Sequence, residues 1–386
     1  MFDEAKQLRI PGPSPVPPSV QRAISRTMIG HRSGDFTKVM KRVHEGLQQI
    51  FQTESEIAIL AGSGTAAMEA AVANLVSPGD SALVLVGGKF GERWQELVEA
   101  FGGRAVVLEY PYGEGADPQQ VAEKLAAHPE ISLVFATQNE SSTAVLNDIE
   151  GLTKVAHEHG AMIVVDAVSG LGGAPLPMDE WGVDVVVSGS QKCLMLPPGL
   201  SFVAAQEAAW KRMESVQSHR YYFNLPAYRK GVAKGQTPYT PAVSLIFGLE
   251  EALRLILEEG LENTFARHRL LRDMVRAGIR ALGLPLYVDE KWASPTLTAV
   301  GIIDSFDVEA FRKIVSQECG VVLAGGQAEL SGRIFRIGHM GYATPLDMLT
   351  TLAAIEVGLM RAGQPIEGGA GVRAAQEVWI QWRSES

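Results

Sequence analysis

The sequence predicts an α/β protein: a large domain with a mostly parallel sheet flanked by helices, plus a smaller C-terminal α+β domain. Three observations lead there. From about residue 55, short continuous apolar runs alternate with helical patterns. After Pro241 that alternation gives way to long helical stretches and a different mixture of strands and helices. The chain has 386 residues, 46% of them hydrophobic, which is more than one small core organises and enough for two.

The opening stretch, Ile10-Pro11-Gly12-Pro13-Ser14-Pro15-Val16-Pro17-Pro18, is too rich in proline for helix and predicts an extended arm lying across another surface. The apolar runs at 57–60, 82–86, 105–108, 133–136, 162–165, 183–187 and 201–204 read as strands. They lack polar alternation, as expected of strands covered on both faces. Helical patterns at 65–75, 92–100, 118–127 and 148–159 lie between most of them. Further helices are expected at 245–257 and 264–282, then strands at 298–303, 321–323 and 334–337, and helices at 308–318 and 345–361. A glycine-rich loop, Gly363 to Gly371, precedes a short terminal helix. The expected division is an arm at 1–20, a large domain at 21–264 and a small domain at 265–386, with no internal repeat.

A net charge of -10 argues against general affinity for nucleic acid or acidic membranes. Two cysteines, Cys193 and Cys319, make no disulfide framework, and no Cys/His cluster has metal spacing, so no metal is expected. The acidic start Met1-Phe2-Asp3-Glu4 does not resemble a signal peptide, and no run approaches the roughly 18 apolar residues of a membrane span. A cytoplasmic protein is expected.

Ligands of parallel sheets bind at the carboxyl ends of the strands. Past 57–60 comes Ala61-Gly62-Ser63-Gly64-Thr65 at the start of a helix. Its glycines admit an anion close to the backbone, and a helix N-terminus offers free N–H groups. A plain tight turn with an N-cap is the alternative. Gly62, Gly64 and Ala67 also match a dinucleotide fingerprint, but the next strand ends in Gly87-Gly88 where an acidic residue would be required, so an NAD enzyme is the runner-up. Asp166 follows the strand at 162–165, and a carboxylate there calls for a positive partner. Lys192 follows the strand at 183–187 in an apolar setting, Cys193-Leu194-Met195-Leu196-Pro197. A desolvated amine can condense with an aldehyde. An anion cradle, a carboxylate and an amine on three strand ends together suit pyridoxal phosphate.

These stretches, with Asn139-Glu140-Ser141-Ser142-Thr143 and Ile337-Gly338-His339-Met340-Gly341, resemble the class V aminotransferases of fold type I, near the alanine–glyoxylate and serine–glyoxylate enzymes. The resemblance spans nearly the whole chain. It implies that Lys192 carries pyridoxal phosphate as a Schiff base and that Asp166 pairs with the pyridine nitrogen. It implies Ser63, Gly64, Thr65 and Gln191 around the phosphate, Ser141 at the ring's polar edge and Phe90 stacked on the ring, where some members have Trp. Thr240 resembles a residue reaching the phosphate from a partner subunit, which implies a homodimer with shared sites. Some members have Tyr where Thr237 stands. Arg336 is implied as the clamp on the substrate α-carboxylate, with Arg333 the weaker candidate. The alternation of Ile334 and Arg336 with Phe335 and Ile337 puts the two pairs on opposite strand faces.

The expected reaction is ping-pong amino transfer from alanine or serine to glyoxylate or pyruvate. Another class V enzyme, a phosphonate transaminase or a lyase, is the alternative, and a pyridoxal-binding module without activity is a third. A desulfurase would need a mobile cysteine, and neither Cys193, beside Lys192, nor Cys319, at the start of a strand-like run, suits that role. His157-Glu158-His159 reads as a solvated helix face, and His31 as a structural feature near the dimer interface.

Overall fold

A computed structural model describes residues 6–301 and 306–385. Its strands are β1 (Gln7–Arg9), β2 (Ile57–Gly62), β3 (Ser81–Val86), β4 (Arg104–Glu109), β5 (Leu133–Thr137), β6 (Asn139–Glu140), β7 (Val145–Leu146), β8 (Met162–Asp166), β9 (Val185–Gly189), β10 (Gly199–Ala205), β11 (Leu297–Gly301), β12 (Val321–Gly325) and β13 (Ile334–Gly338). A seven-stranded sheet runs β2-β10-β9-β8-β5-β3-β4, and a four-stranded sheet runs β1-β12-β13-β11. The large sheet is parallel except at β10, which opposes both β2 and β9. The strand expected at 298–303 is β11 as far as Gly301; positions 302 and 303 lie outside the described residues.

The period of two along each strand builds two cores. Leu133, Phe135, Val84 and Val164 face one side with Trp94, while Val134, Ala136, Leu83 and Val165 face the other with Phe36 and Leu47. Both faces are covered, which is why these strands read as unbroken apolar runs.

Among the helices, α1 (Pro18–Ile24) begins inside the stretch expected to be extended. Proline is tolerated there because Pro18 occupies the first turn, where its missing N–H costs no helix hydrogen bond. The next helix, α2 (Gly34–Phe51), had no counterpart among the expected elements. Its buried Phe36, Val39, Met40, Val43, Leu47 and Ile50 keep helical spacing, and the Ser33 side chain caps it by accepting from the Phe36 N–H at 3.2 Å. Helices α3 (Gly64–Leu75) and α4 (Lys89–Ala100) follow β2 and β3.

In the four-stranded sheet, Phe335 and Ile337 pack with Leu271, Phe311 and Leu352 of the surrounding helices. Ile334, on the other face, packs with Val145 and Cys193. Arg336 alternates with Phe335 and Ile337 and therefore shares the face of Ile334, where it reaches the Ser141 carbonyl. The arm is stitched to this sheet: β1 pairs in parallel with β12, and Arg9 forms an ion pair with Asp347 at 2.5 Å. Cys319 does not begin a strand. It is the C-cap of the helix Val308–Glu318, and β12 starts two residues later. No helix among the described residues is long and apolar enough to cross a membrane.

Candidate active site

The carboxyl ends of β2, β8 and β9 meet. A methyl group added at Gly64 would come within 2.7 Å of the Val168 side chain, which follows β8. One added at Gly189, the last residue of β9, would lie 3.2 Å from the Gly64 nitrogen and 3.2 Å from Gln191 Oε1. Glycine at both places lets the first turn of α3 pack directly against the ends of β8 and β9. Ser63 occupies the N-cap position of α3 but makes no capping hydrogen bond with its side chain, and Gln191 Oε1 is buried without a partner among the described residues. Both leave polar capacity for a ligand at the cradle.

Asp166 is 3% exposed, and its Oδ1 accepts the Val168 N–H at 2.8 Å. Burial pushes its carboxyl up to about 7, against the hydrogen bond from Val168; Glu140 raises it further, while Lys192 draws it down. Burial also pushes the Lys192 amine down to about 8, with Asp166 opposing. The pair therefore sits where each group can change protonation near neutral pH.

Lys192 Nζ donates to the Pro11 carbonyl of the arm. Gly12 holds φ +110°, and a methyl group there would lie 2.6–2.7 Å from Lys192 Cδ, Cε and Nζ, so this close approach requires glycine. Ser14 fastens the arm from the other side, donating from Oγ to the Lys192 carbonyl at 2.7 Å and from N–H to the Gln191 carbonyl at 3.1 Å.

A cleft of about 540 Å³ brings together Gly12, Phe90, Ser141, Lys192, Gly325 and Arg336. A larger cleft of about 640 Å³, lined by residues of α1, α2 and the helix Val243–Glu259, shares none of these residues. Arg336 is buried, and burial holds its guanidinium down to about 10, with Glu140 opposing. Its Nε donates to the Gly325 carbonyl at 2.9 Å and its Nη1 to the Ser141 carbonyl at 2.5 Å. A guanidinium has five N–H donors, so donors remain for a ligand. Arg333 is exposed and outside the cleft.

Glu140, for which no role was expected, joins the site. Its Oε2 accepts the N–H groups of Phe90 and Gly91 at 3.0 and 3.2 Å. Its Oε1 accepts from the N–H and hydroxyl of Ser142 at 3.0 and 2.5 Å. One buried carboxylate thus joins the N-terminus of α4, which carries Phe90, to the turn that carries Ser141. Gly87 and Gly88 have a packing reason: added methyl groups would strike the Tyr110 ring at 2.0 Å and the Glu140 carboxyl at 2.5 Å. The charged residue inside Asn139-Glu140-Ser141, shortly after the apolar run at 133–136, was the available signal.

Thr240 does not join this cleft. It is exposed in a separate hollow with Met28, Ile29 and His31. Thr237 is buried and donates to the Tyr239 carbonyl at 2.6 Å. Arg32, next to His31, holds that loop by donating to the Thr237 and Pro238 carbonyls at 2.6 and 3.2 Å. His157 is not simply solvated: its Nε2 lies 2.9 Å from Asp184 Oδ2.

A glycine-lined cradle at a helix N-terminus, a buried carboxylate lacking a full counter-charge and a buried amine match the phosphate, ring nitrogen and aldehyde of pyridoxal phosphate. Fold and site define a pyridoxal-phosphate-dependent enzyme of fold type I. The Aminotransferase class-V profile matches residues 14–341, and the chain belongs to that family. A relative from Synechococcus sp. named soluble hydrogenase, small subunit, is 43% identical over 98% of this chain and 99% of its own length. The L-aspartate–glyoxylate aminotransferase of Paracoccus denitrificans is 36% identical over 96% of this chain and 96% of its own. The crystal structure of pyridoxamine–pyruvate aminotransferase from Mesorhizobium loti superimposes with a TM-score of 0.95 at 32% identity, covering 100% of this chain and 99% of that one. The enzyme is a transaminase.

Proposed function

We propose that this transaminase moves an amino group from a small 2-amino acid, alanine or serine, to glyoxylate or pyruvate in ping-pong order, and that it works as a cytoplasmic homodimer with shared sites. The observation that carries this reading is the Arg336 guanidinium and the Lys192 amine on the walls of one cleft. The α-carboxylate is the group that every donor and acceptor shares. One fixed guanidinium serves both half-reactions. Two relatives, an L-aspartate–glyoxylate and a pyridoxamine–pyruvate aminotransferase, support by their names a small 2-oxo acid as acceptor. The free thiols Cys193 and Cys319 suit a reducing compartment.

When bound, pyridoxal phosphate supplies an aldehyde that captures the amino group and a conjugated ring that takes up the electron pair released at Cα. Arg336 grips the carboxylate through its remaining N–H donors. Lys192, whose amine burial holds near neutrality, takes the α-proton and returns it to the other carbon of the exchange. Asp166 would present a negative charge to the ring nitrogen, a positive partner that would offset the upward push of burial on its carboxyl. Phe90 and Ser141 line the same cleft, where Phe90 would pack on the ring and Ser141 would offer a polar contact. Ser63, Gly64, Thr65 and Gln191 would hold the phosphate. Thr240, remote from the cleft of its own chain, completes the phosphate site of the partner subunit.

Arg336→Lys keeps the charge and loses the two-pronged contact, so KM for donor and acceptor should both rise about tenfold, and Arg336→Ala should raise them further. Steady-state kinetics with alanine and glyoxylate check this, with serine and aspartate as competing donors. Unchanged KM for both partners would move the clamp elsewhere, with Arg333 the next residue to vary. The shared site predicts a single species of twice the chain mass when the holoenzyme is sedimented at sub-micromolar concentration. A stable, fully active monomer is the contrary result.

A further inference from the structure

We propose that Arg93 is a further anion-binding residue of the cofactor site: its guanidinium faces the phosphate position at the start of α3 and gives the site its preference for the phosphorylated cofactor. This rests on the reading of Ser63, Gly64 and Thr65 as the phosphate cradle.

Arg93 lies one turn beyond Phe90 on α4. Its guanidinium carbon is 4.8 Å from the centre of the Phe90 ring. Its Nη1 donates to Thr65 Oγ1 at 3.2 Å. These contacts hold the cation between a wall of the cleft and the first turn of α3. That placement is electrostatically unfavourable by itself, because a helix N-terminus carries a positive partial charge. Among the described residues Arg93 has no carboxylate partner. Glu92, its neighbour, is engaged by Lys89 and by the Tyr112 hydroxyl. A cation parked on the positive end of a helix, with a neutral hydroxyl as its hydrogen-bond partner, is compensated when an anion sits between them. The same spot holds the unpartnered amide oxygen of Gln191, whose amide can turn to offer N–H donors. The charge of Arg93 is also felt at both Asp166 and Lys192, which places it in the field of the site. A dianionic phosphate gains from a guanidinium as it does not from a hydroxymethyl group.

The test compares pyridoxal phosphate with pyridoxal, which has the same ring and aldehyde without the phosphate. The full chain, freed of cofactor, is titrated with each and followed by visible absorbance. Arg93→Gln should raise Kd for pyridoxal phosphate about tenfold and leave Kd for pyridoxal within about twofold. Arg93→Lys should recover part of the loss. The double variant Ser63→Ala/Thr65→Ala is titrated in parallel. If it reduces the preference for the phosphorylated form while Arg93→Gln does not, the role of Arg93 is overturned and the cradle stands. If neither variant changes the preference, both are overturned. Equal weakening of the two ligands by Arg93→Gln would make Arg93 a support for Phe90 and overturn the proposal as well.

Discussion

Lys192→Ala is expected to lower turnover by roughly 10³-fold or more, because one amine is asked both to hold the cofactor and to move the α-proton. The geometry supports a large effect. Lys192 is half-buried, desolvation depresses its amine to about 8, and the Pro11 carbonyl and the close passage of Gly12 fix its course. No neighbouring side chain of the cleft can substitute: Arg336 holds its protons and Ser141 is a weak base. The variant should still bind pyridoxal phosphate through the cradle, and a small added amine should restore part of the proton transfer. Stopped-flow absorbance with a donor amino acid separates binding from chemistry. Turnover close to that of the unaltered enzyme would remove Lys192 from the reaction.

Asp166→Asn is the second large effect. The amide keeps the shape and the contact with the Val168 N–H but cannot hold a positive ring nitrogen, so turnover should fall by about 10²–10³-fold with the cofactor still bound. A second readout has a definite sign. In the cofactor-free chain the Asp166 carboxyl is raised from 3.8 to about 7, so the protonated form is the one the fold favours. Its stabilisation is complete below the unfolded value of 3.8 and is lost as pH rises through about 7. Asp166→Asn should therefore melt higher than the unaltered cofactor-free chain above pH 7, and bound cofactor should narrow that gap. Near-normal turnover would show that Asp166 is not the ring partner.

The parallel core was legible because strands covered on both faces become continuous apolar runs, as in 133–136 and 162–165. Lys192 and Asp166 were legible for the opposite reason, as charged groups directly after such runs. What escaped depends on distant parts of the chain. Nothing local says that Gly12 passes over Lys192, that Glu140 reaches the N-terminus of α4, or that Arg93 bonds Thr65. The helix Gly34–Phe51 was missed although its apolar spacing and Ser33 cap are local signals, because it precedes the strand–helix alternation from which the fold was read. Cys319 was misplaced because a short apolar run does not mark its own start, and the preceding helix extends to Glu318.

The link between Lys192 and the cofactor is tested most directly by borohydride reduction of the holoenzyme followed by peptide mapping. The expected result is the reduced cofactor fixed on Lys192, with the label absent from Lys192→Ala. Label on Lys89, at the start of α4, or on any other lysine of the unaltered enzyme contradicts it.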